Sequence, residues 1–85
     1  MTDAPAPPSS RGLMYLALGM FFLFVGVRDL TGEPPNASAA TWELLFAAAN
    51  SLFFWFYRGG PAWVRSAAYG LFVVAVGAAL ADFFL

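Results

Sequence analysis

Three long apolar runs follow one another along the chain, at residues 12–30, 39–57 and 62–85. None of them alternates apolar and polar residues as a half-buried strand does, and none carries the polar stripe of a helix on a soluble protein. A helix of nineteen residues is about 28 Å long, close to the roughly 30 Å of a bilayer's hydrocarbon core. The pattern predicts an all-α membrane protein, with three transmembrane helices in an up-down-up bundle joined by short loops.

Helix-breaking residues separate the three runs. The segment 31–36 holds a glycine and two adjacent prolines, so the first helix cannot continue through it. Asn36 or Ser38 is expected to cap the second helix. The segment 58–61 makes a short turn, and Pro61 suits the first position of the third helix.

The N-terminal segment has two interpretations. Residues 1–11 are rich in proline, alanine and serine, which predicts a disordered tail before a single domain at 12–85. Alternatively, Arg11 and the apolar residues 13–27 resemble the charged and apolar regions of a signal peptide, and residues 37–39 match its cleavage pattern. Three charged residues lie between those two features, which favours an uncleaved helix.

Composition strengthens the membrane interpretation. Hydrophobic residues make up 61% of the 85-residue chain and charged residues 11%, against about 45–50% and about 25% in a soluble domain. A chain this short cannot hide so much apolar surface in one core. The lipid bilayer is therefore the predicted surrounding. The net charge of −1 gives no basic surface for nucleic acid. The absence of lysine and isoleucine, whose codons are rich in A and T, favours a GC-rich bacterial source.

The residues that usually carry chemistry are scarce. The chain has no histidine, cysteine or lysine, which excludes disulfides, zinc–thiolate sites and thiol or imidazole catalysis. We therefore expect no enzyme, no catalytic residue, no metal and no cofactor.

Arginine placement predicts the orientation. With three spans, Arg11, Arg58 and Arg65 share one side of the membrane and Arg28 lies alone on the other. Since cytoplasmic loops carry the excess of basic residues, the N-terminus is expected in the cytoplasm. The C-terminus is expected on the external, periplasmic side of a bacterial inner membrane.

Glycines recur every seven residues along one face of the first and third predicted helices, and in the third helix a serine and an alanine extend the same face. They are Gly12, Gly19, Gly26, Ser66, Gly70, Gly77 and Ala81. A seven-residue interval drifts only about 20° per repeat, and glycine lets a neighbouring backbone come close. The spacing predicts a helix-packing seam, either between helices one and three or with a partner chain. The alternative is that glycine is simply common in membrane helices.

Two polar residues share a face of the second predicted helix. Asn50 lies near the expected bilayer midplane, and Glu43 lies two turns away on the same stripe. An unpaired amide in hydrocarbon is costly. We therefore predict interhelical hydrogen bonding that fixes the register, worth about 0.6–2 kcal/mol. The alternative is a polar pathway for an ion or a substrate.

An ion pair is predicted between the first and third helices. Asp82 lies near the C-terminal end of its helix, where the dipole disfavours an acid. Arg28 is the only basic residue expected on that side, so we predict an Arg28–Asp82 pair. The alternative is that Asp29 pairs locally with Arg28 and Asp82 faces water.

The sequence favours a small, non-catalytic integral membrane protein that acts as an accessory or scaffolding subunit. Its ten phenylalanines offer aromatic surfaces to a larger membrane protein or complex. The alternative is a homo-oligomeric small transporter or channel with a path past Asn50 and Glu43. A holin-like role ranks third, because the chain ends on Phe83, Phe84 and Leu85 rather than on a charged tail.

Overall fold

The computed structural model describes residues 9–85, which form three helices in succession. They are α1 (Ser9–Thr31), α2 (Ala37–Tyr57) and α3 (Ala62–Phe84). The prediction of an all-helical chain with three helices is confirmed. α1 begins three residues before the predicted start, so the end of the predicted tail is helical, and residues 1–8 lie outside the described residues.

Two of the helices are long and apolar enough to cross a membrane. The stretches are Arg11–Thr31 and Ala62–Phe84, and only 11% of the most apolar window of each is buried. A core helix of a soluble protein would be mostly buried instead. α2 does not reach the same standard, because Glu43 and Asn50 lower its mean hydropathy.

α2 is the central helix of the molecule. It packs against α1 and against α3, whereas α1 and α3 make no contact with each other within residues 9–85. The three helices therefore lie side by side in chain order, with α2 in the middle.

Local hydrogen bonds fix the conformation of each loop. The Asn36 side chain accepts from the backbone N–H of Ala39 at 3.2 Å and caps α2, one of the two caps expected. At the other end, Gly59 has φ of +102°, in the left-handed region that favours glycine. The backbone N–H of Gly60 then donates to Trp55 O at 3.0 Å and closes the turn.

The helix contacts are built mainly from small side chains. The fully buried positions include Ala49 on α2 and Val64, Ala68 and Ala75 on α3. Small side chains let helix backbones approach closely, which is how helices pack when lipid removes the hydrophobic drive between them.

Candidate functional site

The polar side chains of α2 are buried. Glu43 and Asn50 are each only 6% exposed. They lie seven residues apart and so share one face of the helix. The flanking helices α1 and α3 shield this face, because both pack on α2. The candidate site is this face of α2 together with the parts of α1 and α3 beside it.

Each helix places one carboxyl group at the end that carries the loop 32–36, which we call the acidic end. Glu43 is influenced electrostatically by Asp29 on α1 and by Asp82 on α3. Two carboxyl groups can form a hydrogen bond only when one holds a proton. Among residues 11–85, the buried Oε1 atom of Glu43 has no hydrogen-bond partner. The α1–α2 contact at this point is therefore made by two acids.

Asp82 is bonded to a tryptophan and not to an arginine. The indole Nε1 of Trp42 donates to Asp82 Oδ2 at 2.9 Å. Arg28 is exposed on α1. Along the described helices, α1 does not contact α3, the helix that carries Asp82. The structure thus replaces the predicted Arg28–Asp82 pair with Trp42–Asp82. Charge counting overlooked Trp42, although an indole N–H removed from water needs an acceptor.

Asn50 bonds within its own helix. Its Nδ2 donates to Phe46 O, one turn earlier, at 2.8 Å. This differs from the predicted interhelical bond, and the reason is what faces it on α1. A Cβ added to Gly19 would lie 3.5 Å from Asn50 Cβ, so bare backbone and not a polar side chain approaches there. The Asn50 side chain makes no further hydrogen bond to a described residue.

A cavity of about 160 Å³ lies beside Asn50. Phe53 on α2 stacks on Tyr15 of α1 at 4.9 Å between ring centroids and meets Tyr69 of α3 edge-on at 5.1 Å. The residues that line the cavity are Tyr15, Asn50, Phe53, Tyr69 and Phe72. The sequence gives no signal for this cavity, because no spacing rule relates residues on three different helices.

The glycines of α1 face α2. A Cβ at Gly12 would lie 3.6 Å from the Phe54 ring, and one at Gly26 would lie 2.7 Å from Leu44 Cδ2. The glycine seam of α1 therefore packs against α2. One of the two predictions had placed it against α3.

The small residues of α3 are not buried by the described helices. Ser66, Gly70, Gly77 and Ala81 are exposed. In the part of the chain that the structure describes, no heavy atom lies within 4 Å of a Cβ added at Gly70 or Gly77. No other helix within residues 9–85 covers Gly70 or Gly77.

Arginines and aromatic rings gather at the opposite end, which we call the arginine end. Arg58 lies over the Phe54 ring and Arg65 over the Tyr69 ring, each at 5.7 Å from the ring centroid. Trp55 and Trp63 meet edge-on at 5.6 Å across the turn. Aromatic and basic side chains together are typical of a membrane–water interface.

The acids do not assemble into a metal-binding group. Within residues 9–85, no set of three carboxylate, imidazole or thiolate side chains is placed to hold a metal ion. Comparison with models of known protein families, with curated proteins and with solved structures finds no match. The function is therefore argued from the site alone.

Proposed function

We propose that this chain is a small integral membrane protein of three spans, which serves as an accessory or scaffolding subunit of a larger membrane complex. Its N-terminus lies in the cytoplasm and its C-terminus on the external side of a bacterial inner membrane. The arginine end is then cytoplasmic and the acidic end external, in keeping with the preference of basic residues for the cytoplasmic side.

The distribution of polarity supports a third span. α2 has 21 residues and is about 31 Å long, enough to cross the hydrocarbon core. Its two most polar side chains, Glu43 and Asn50, are buried. Polar residues inside membrane segments face the protein interior in this way, so α2 can lie in lipid with α1 and α3 shielding it.

The contrast between the two glycine seams carries the subunit proposal. The seam in α1 is filled by α2, and the seam in α3 is bare within the described residues. Glycine inside a helix costs about 0.5–1 kcal/mol relative to alanine, which close packing against another helix offsets. A transmembrane helix of a larger protein is the partner that the bare seam on α3 suits.

A homo-oligomeric transporter or channel is the second candidate. Glu43 and Asn50 share a buried face of α2, and a cation path would use such groups. This candidate requires several copies and a measurable flux in liposomes, and the subunit proposal requires neither.

Co-purification after mild detergent extraction tests the subunit proposal. The tagged chain is expected to elute with a larger membrane protein at fixed stoichiometry. Gly77→Leu fills the bare seam and should lower the recovered partner at least about tenfold, the effect of about 1.4 kcal/mol. Val76→Leu, one residue along the same helix, is the matched control and should retain the partner.

Two results would contradict the subunit proposal. One is a stable homo-oligomer that carries ion or solute flux, which favours the transporter. The other is equal recovery of the partner by the Gly77→Leu and Val76→Leu variants, which would show that the seam is not the contact.

A further inference from the structure

The cavity beside Asn50 lies where α1 and α3 flank α2. Both helices pack on α2 and make no contact with each other along the described chain. On one side of α2 this leaves a space of about 160 Å³. Aromatic rings form most of its wall, and one residue of the lining, Asn50, is an amide.

The ring walls are held in place by one another. Phe53 stacks on Tyr15 with an interplanar angle of 24° and meets Tyr69 at 85°. Phe72 in turn meets Phe46 edge-on at 5.3 Å. Mutual contact of this kind fixes ring orientation, so the cavity is a formed site for a flat molecule.

Asn50 leaves hydrogen-bonding capacity beside the cavity. The side chain is 94% buried, being 6% exposed, and one N–H is used by Phe46 O. A carboxamide has two N–H donors and an oxygen that accepts. Over residues 11–85, the Asn50 side chain makes no other hydrogen bond, and its oxygen is not fully enclosed by protein. A ligand in the cavity can therefore receive a hydrogen bond from Asn50 or donate one to it.

We infer that this cavity binds a lipid-soluble molecule whose six-membered ring carries a carbonyl or hydroxyl oxygen, which is the chemistry of a quinone or quinol headgroup. An apolar cavity of about 150 Å³ engineered in another protein holds benzene, so one substituted ring matches the size here. The amide serves the carbonyl of the oxidised form as donor and the hydroxyl of the reduced form as acceptor. An acyl chain would fill the space and leave Asn50 unsatisfied.

The inference rests on the membrane location proposed above and is independent of the partner subunit. The ligand's apolar tail would extend from the partly open side of the cavity into hydrocarbon. Binding can therefore be tested on the purified full chain alone, so that failure to find a partner complex and failure to bind the ligand are separate results.

Side-chain amide resonances give a direct measurement. The chain contains two asparagines, Asn36 and Asn50, and no glutamine, so a ¹⁵N–¹H spectrum has two side-chain amide pairs. Asn36→Ser identifies them. The chain is placed in phosphatidylcholine–phosphatidylglycerol nanodiscs and titrated with a benzoquinone bearing a ten-carbon tail. The Asn50 pair is expected to shift with saturation, and the Asn36 pair to stay unchanged.

Controls separate binding from partition into lipid. Decylbenzene has the same ring and tail without oxygen and should leave the Asn50 amide unshifted. Phe72→Ala removes one wall of the cavity and should weaken quinone binding at least about fivefold, the effect of losing about 1 kcal/mol of ring contact. Phe24→Ala removes an exposed ring of α1 and should bind as the unchanged chain does.

Three outcomes would overturn the proposal. They are a shift that grows without saturation, an equal shift with decylbenzene, and equal affinity in the Phe72→Ala and Phe24→Ala variants. Asn50→Leu, followed by the quinone-induced rise in Tm, gives a second readout. It should bind about fivefold to tenfold more weakly, as expected for one lost hydrogen bond, and unchanged affinity would also overturn the proposal.

Discussion

Glu43 is the residue that best shows how this chain handles polarity. Its side chain is 6% exposed, and its nearest charged neighbours are the acids Asp29 and Asp82. Burying a carboxylate without a cation is very costly, whereas a neutral carboxylic acid can donate a hydrogen bond. We therefore expect Glu43 to be a neutral acid that contacts Asp29 of α1, and not one half of an ion pair.

Substitution of Glu43 tests this description. Glu43→Gln keeps the length of the side chain and an N–H donor for Asp29, so Tm should stay the same or rise. Glu43→Ala removes the contact and should lower the unfolding free energy by about 1–3 kcal/mol. Thermal unfolding followed by circular dichroism in detergent measures both.

Glu33→Gln is the matched control, since Glu33 is exposed in the loop before α2, and it should leave Tm unchanged. Equal destabilisation by Glu43→Gln and Glu43→Ala would mean that the negative charge itself is required, and would contradict the neutral contact.

At the scale of the helices, α1 and α3 carry the same glycine interval with different outcomes. In α1 the backbone of α2 comes close, so that a Cβ at Gly26 would lie 2.8 Å from Leu44 Cγ and 3.4 Å from Leu44 N. In α3, Gly70 and Gly77 have open space around them in the described part of the chain. The same substitution in the two helices therefore separates packing from helix propensity.

Gly26→Leu and Gly77→Leu form that comparison. Both gain about 1 kcal/mol of helix propensity, but only Gly26→Leu must push α2 away. Gly26→Leu should lower the unfolding free energy by about 1–3 kcal/mol through overpacking, and Gly77→Leu should not lower it. Chemical unfolding in mixed detergent measures the difference. Equal stability of the two variants would contradict the α1–α2 seam.

The extent of sequence-based prediction also differs by element. The apolar runs predicted three helices to within three residues at each end, because length and breaker residues define a helix locally. The glycine interval predicted which face of α1 packs, but a spacing on one helix does not specify the neighbour. The prediction of an Arg28–Asp82 pair requires α1 and α3 to be adjacent. The sequence indicated Trp42 only as a residue of the membrane interface. The cavity at Asn50 depends on three helices at once, which no local pattern describes.

At the scale of the whole molecule, two polar side chains of α2 are buried while many large apolar side chains of the described helices are exposed. α2, which buries Glu43 and Asn50, is in the middle, and the two helices apolar enough to cross a membrane flank it. Large apolar side chains such as Phe24, Val73 and Phe83 are about 70% exposed, at 70%, 68% and 71%. An exposed apolar surface of this kind marks contact with lipid or with another protein.

The central claim is that lipid surrounds all three helices and that α2 crosses the membrane. Because the chain has no cysteine, single cysteines at Glu33, Ala62 and Leu85 can be labelled with a membrane-impermeant maleimide, in intact cells and in inverted membrane vesicles. Detergent-treated samples give full labelling as the control. We expect Glu33→Cys and Leu85→Cys to react from the external side and Ala62→Cys from the cytoplasmic side only. Reaction of Glu33→Cys and Ala62→Cys from the same side would show that α2 does not cross, and would contradict the account.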